Sequence, residues 1–98
     1  MKIVIENPKI SIANFFRRAG YSFQKREGEE MAFVRRLTDQ EFPRLHLFCR
    51  IKDDNFLLNI HIDHKRASYE GHNMHSGEYE EDSDLLRGEA ERLKNFGK

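Results

Sequence analysis

Two runs of alternating residues, Leu45 to Ile51 and Phe56 to Ile62, constrain the fold of this chain more than anything else in it. In the first, Leu45, Leu47, Cys49 and Ile51 alternate with Arg44, His46, Phe48, Arg50 and Lys52. In the second, Phe56, Leu58, Ile60 and Ile62 alternate with Leu57, Asn59, His61 and Asp63. Strand side chains change faces with period two, so each apolar row must share one face. Only an even loop around Asp53-Asp54, of two residues or four, puts both rows on the same side. Either loop gives the same register, with Lys52 opposite Asn55, Ile51 opposite Phe56 and Phe48 opposite Asn59. It also sets His46 against His61 and Arg44 against Asp63. A three-residue loop turns one apolar row to solvent and is discarded.

The remaining segments supply the partners such a hairpin needs. Lys2 to Glu6 reads as a short strand, broken by Asn7-Pro8. Ser11 is an N-cap and Gly20 a helix stop, and between them Ile12, Phe15, Phe16 and Ala19 form one apolar stripe. Arg17 and Arg18 fall in its last turn, where cations favour the helix dipole. Tyr21 to Arg26 and Glu29 to Arg36 flank Glu27-Gly28 as a second hairpin, predicting Tyr21 opposite Val34 and Phe23 opposite Ala32. Thr38 to Glu41 is a capping-box pattern and predicts one helical turn, ended by Pro43. Asp82 or Ser83 caps a last helix whose inner stripe is Leu86, Ala90, Leu93 and Phe96, with Gly97 as the stop. From 65 to 82 there is no period; a run that long inside one domain is a functional loop or disorder. The expected fold is a single α+β domain over residues 1–98, in the order β-α-β-β-β-β-α. A four- to five-stranded, mostly antiparallel sheet carries two helices packed on one face.

Composition sets limits on function. Charged residues reach 35% and apolar residues 38%, so the core must be compact, and eight Phe suit that demand. The net charge is zero, but residues 1–52 hold 11 Lys and Arg against 6 Asp and Glu, a net of +5, while residues 53–98 hold 6 against 11, a net of −5. A neutral total argues against a dedicated high-affinity nucleic-acid binder, although not against a local anion-binding face. One cysteine, Cys49, excludes an internal disulfide framework and a Cys-rich zinc site, and its place on the apolar row predicts a buried, inert thiol. The apolar run after Met1 is too short for a signal peptide, and no stretch approaches a membrane span. The expectation is a cytoplasmic protein with no membrane partner.

Five histidines, His46, His61, His64, His72 and His75, concentrate the chemistry. Opposed residues in an antiparallel pair have Cβ atoms about 4.5–5.5 Å apart, near enough for His46 and His61 to converge on one ion. Asp63 lies two residues from His61 on the same face. His72, His75 and Glu78 follow in the aperiodic run. The first expectation is therefore a divalent transition-metal site, for Zn, Mn, Fe or Ni, drawn from His46, His61, Asp63, His72, His75 and Glu78. His64 points to the core side of its strand end and is set aside.

Other readings use the same face. Two imidazoles beside Arg44, Lys65 and Arg66 supply the parts of a metal-free ribonuclease, one ring as base and one as acid. Opposed imidazoles are, however, close for acting on opposite sides of one phosphorus. A nucleic-acid-binding module would use Arg35, Arg44, Phe48, Arg50, Lys65 and Arg66, with aromatic rings as stacking surfaces for unpaired bases. A protein partner with no chemistry at all would suit the same composition, as would plain surface histidines bonded to nearby carbonyls and carboxylates.

The run Leu58 to Tyr79, LNIHIDHKRASYEGHNMHSGEY, resembles a segment of a family of short, uncharacterised bacterial proteins. Phe33-Val34-Arg35-Arg36-Leu37 and Pro43-Arg44-Leu45-His46 are similar to that family as well. The resemblance covers most of the chain and implies no activity. It implies that His46, His61, Asp63, Tyr69, Gly71, His75, Gly77, Glu78 and Tyr79 act as one unit. An amide often stands in that family where this chain has His64, which further lowers His64 as a ligand.

Overall fold

A computed structural model describes residues 1–64 and 83–97. Five strands, β1 (Lys2–Ile5), β2 (Ser22–Glu27), β3 (Glu30–Arg36), β4 (Arg44–Lys52) and β5 (Asn55–Asp63), and two helices, α1 (Ile12–Arg18) and α2 (Ser83–Phe96), follow in the predicted order. The strands form one antiparallel sheet in the spatial order β1-β5-β4-β3-β2. The two edges are thus the strands on either side of α1, which carries the chain from one edge to the other.

The β4–β5 hairpin has the register that alternation demands, from Lys52 opposite Asn55 to Arg44 opposite Asp63. Its loop is the two-residue option. Asp53 and Asp54 both have positive φ, 54° and 69°, as the primed turns that fit strand twist require. Leu45, Leu47, Cys49, Phe56, Leu58 and Ile60 are buried on one face, and both helices cover it. Phe16 stacks on Phe33 with centroids 4.4 Å apart, and Phe15 meets Phe56 edge-on at 5.4 Å. Leu86, Ala90 and Leu93 of α2 complete the core. Ile51, expected in the buried row, is half exposed, although Phe56 opposite it is buried.

Ser11 caps α1, its hydroxyl oxygen accepting from the Asn14 amide, and Gly20 follows the helix with φ of 92°. Two local expectations are corrected. The β2–β3 turn is Gly28-Glu29, one residue later than expected, with Gly28 at the first central position and φ of 62°. A bulge between Phe23 and Lys25 takes back part of that shift, so Ser22 faces Val34 and Phe23 faces Phe33. An edge strand admits a bulge because only one neighbour fixes its register. The predicted helical turn at Thr38–Glu41 is a series of bends instead. The Thr38 hydroxyl does accept an amide N–H, but from Gln40, which closes a local turn rather than opening a helix. The predicted loop 65–82, with His72, His75 and Glu78, lies outside the described residues.

Candidate metal centre

Alternation sends Arg44, His46, Phe48 and Arg50 of β4 and Asn59, His61 and Asp63 of β5 to the face without helices. Cross-strand pairing then brings their side chains together. His46 and His61 are opposed and their ring centroids are 5.0 Å apart. Asp63 joins both. Its Oδ2 lies 3.1 Å from His46 Nδ1, and its Oδ1 lies 3.3 Å from His61 Nε2. Arg44, directly opposite Asp63, places Nε 3.4 Å from the same Oδ2 and lays its guanidinium over the Phe42 ring at 4.5 Å. Phe48 closes the group, 4.6 Å from the His46 ring and 5.8 Å from that of His61.

Burial grades across the cluster. The side chains of His46, Asp63 and His61 are 16%, 24% and 46% exposed, so the site opens to solvent on the His61 side. Burial lowers the His46 pKa below its ordinary value; the neighbouring His61 and Arg44 charges add to this, and Asp63 only partly opposes it. For Asp63, burial pushes the pKa up, but the His61 hydrogen bond and the charges of His46, His61 and Arg44 together outweigh it and hold the carboxyl below its usual range. At neutral pH the cluster therefore holds an ionised carboxylate and a neutral His46 imidazole. That imidazole donates Nδ1–H to Asp63, which leaves Nε2 as the lone-pair nitrogen. Nε2 is buried and has no hydrogen-bond partner among the described residues.

One ligand atom from each of His46, His61 and Asp63 lies within 4.8 Å of the other two, and this is the one such group among the described residues. Comparison with family models, with curated proteins and with solved structures returns no match.

The other predicted residues are dispersed. Arg35 pairs with Leu45, so it turns toward the helices, where its Nη1 is 3.6 Å from the buried Glu89 carboxylate. Phe48 and Arg50 do lie on the open face. Lys65 and Arg66 lie outside the described residues, and His64 is exposed at the end of β5.

Two features went unpredicted. Arg36 faces Arg44 across β3 and β4, a like-charge pair set by a β3–β4 register that alternation in β4 and β5 does not fix. Glu89 is 6% exposed and accepts from the Tyr21 hydroxyl at 2.7 Å and from Arg92 at 2.9 Å through both oxygens. Its signal was present in the sequence: it stands three residues after Leu86 and four before Leu93, on the apolar stripe of the helix.

Proposed function

We propose that this chain is a divalent-metal-binding domain whose protein ligands are His46, His61 and Asp63. The observation that carries the proposal is the convergence of two imidazole nitrogens and a carboxylate from adjacent strands. Ligands bound about 2.0–2.1 Å from one ion stand roughly 2.9–3.4 Å from each other in tetrahedral or octahedral geometry. The separations of 3.1 and 3.3 Å are of that size but run to the two different oxygens of Asp63, so binding one ion requires the carboxylate or a ring to turn. Depressed pKa values support the reading, because ligands must be deprotonated to bind. Arg44 takes the outer position that orients a ligating carboxylate. An ion on His46 Nδ1 moves the ring proton to Nε2, so the loaded site gains a donor there. Imidazole with carboxylate favours Zn, Fe, Ni or Mn over Ca or Mg.

The metal-free ribonuclease reading has less support. Both imidazoles turn a nitrogen onto the same carboxylate, rather than flanking a space into which a phosphorus fits.

Titration of metal-stripped, untagged protein with Zn and Mn tests the proposal by calorimetry and histidine-ring NMR. One ion per chain is expected, with ring shifts confined to His46 and His61. His46→Ala, His61→Ala and Asp63→Asn should each weaken binding by about 10- to 100-fold or more. No stoichiometric binding, or binding untouched by these variants, would falsify the assignment.

A further inference from the structure

At the end of the sheet beside this cluster is a cleft of about 620 Å³, whose lining includes Gly20, Ser22, Arg35, Arg36, Glu41 and Arg44. Three guanidinium groups meet one carboxylate there. Arg36 and Arg44 face each other across β3 and β4, and like charges directly opposed on neighbouring strands destabilise a sheet. Two of the three arginines are held from behind by carboxylates: Arg35 by Glu89 at 3.6 Å and Arg44 by Asp63 at 3.4 Å. Those contacts fix where the two side chains lie without filling the cleft. Arg36 is exposed and has no ion pair among the described residues. Gly20, in the left-handed conformation, keeps the wall open, since a Cβ there would come 3.3 Å from Arg35 Nε.

We propose that this cleft is an anion site for the phosphate group of a phosphoester, held between Arg36 and Arg44. A tetrahedral oxyanion offers several acceptor oxygens to two guanidinium forks and offsets the repulsion between them. The site is independent of metal at His46, His61 and Asp63, and the two meet only through Arg44. The phosphate could belong to a small phosphoester or to a polynucleotide backbone, and both present the same group to the cleft.

The test uses metal-stripped full-length protein, titrated by amide NMR with inorganic phosphate, a nucleoside monophosphate and a single-stranded oligonucleotide, each against chloride at matched ionic strength. Saturating shifts are expected for residues 20–22, 34–36 and 44. Arg36→Gln should weaken binding by about tenfold or more, the scale of a lost charged hydrogen bond, and Arg36→Lys should recover part of it. Lys52→Gln, at the far end of the hairpin, should change nothing. An oligonucleotide that binds no tighter per phosphate than the monophosphate identifies a small phosphoester. Tighter binding with shifts reaching Phe48 and Arg50 identifies a nucleic-acid backbone. Shifts that only follow ionic strength, or equal weakening by Arg36→Gln and Lys52→Gln, overturn the site. Because the metal is absent throughout, failure here leaves the metal reading standing, and the reverse also holds.

Discussion

Gly88 and Gly97 are both glycines of the last helical segment, yet their surroundings assign them opposite roles. A Cβ built at Gly97 would lie 2.4 Å from Ile5 Cγ2, and Ile5 is 3% exposed in the first strand. Ile5 is β-branched and packed, so it cannot swing aside at low cost. Gly97→Ala should therefore destabilise by about 1–3 kcal/mol, the range for overpacking a fitted contact. Gly88 lies on the exposed side of α2 with nothing within 4 Å of its Cβ position. Gly88→Ala should stabilise by about 0.5–1 kcal/mol, since alanine loses less backbone entropy in a helix interior. Urea denaturation of the two variants should thus shift the midpoint in opposite directions, and two shifts of the same sign would contradict the packing of α2 on β1. Alternation and stripe position showed which residues face the core; they were silent on which glycine a neighbour approaches, because close approach depends on how two distant elements dock. The same limit applies to the cluster. His46, His61 and Asp63 followed from register alone, whereas the Arg36–Arg44 pair depends on how β3 pairs with β4 across the irregular segment 37–43, which carries no period to set it.

The β4–β5 hairpin was the most legible element because nine residues on each side repeat a single period, so a wrong register exposes a whole apolar row. The β2–β3 hairpin is at the edge, and all six residues of β2 are exposed, so little burial resists a slip or a bulge. The metal cluster depends on the β4–β5 hairpin, which in turn depends on its turn. Asp53 and Asp54 both occupy the left-handed region, where aspartate is tolerated but glycine is at home. In the primed turn that suits strand twist, Asp-Gly is among the preferred pairs. Asp54→Gly should therefore raise stability by about 0.5–1 kcal/mol without moving the register. The check is a higher denaturation midpoint together with unchanged cross-strand NOEs between Arg44 and Asp63 and between His46 and His61. A lower midpoint would show that the Asp54 side chain contributes more than its backbone strain costs. Metal affinity should stay constant in this variant, since the turn lies at the opposite end of the hairpin from the ligands.

At the scale of the whole molecule, the sheet and both helices are tied together at one buried charge. Glu89 of α2 accepts from Tyr21, which follows α1, and from Arg92 on its own helix, while Arg35 approaches from β3. Arg92 also donates to the Ala19 carbonyl at 2.6 Å, satisfying a group at the end of α1. This arrangement makes global stability sensitive to alkaline pH. Burial raises the Tyr21 pKa above its ordinary 10.0, and the hydrogen bond and negative charge of Glu89 raise it further. Above that ordinary value the unfolded chain releases the phenolic proton while the folded chain keeps it. The folded state then binds more protons, so stability falls as pH rises. Cys49 acts in the same direction from a lower starting point, its thiol pushed up to about 12 by burial. Tyr21→Phe separates the two contributions. At about pH 8 the variant should be less stable by about 1–2 kcal/mol, having lost a buried hydrogen bond to a charged acceptor. Between about pH 10 and 11 it should lose less stability than the native chain, because no proton is withheld at position 21. The other tyrosines and Cys49 are common to both proteins and cancel in the difference. Urea unfolding across this range should therefore show the gap between the two narrowing with pH. A constant gap would mean that Tyr21 is as free to ionise in the folded chain as in the unfolded one, and that Glu89 does not bind the helices to the sheet through it.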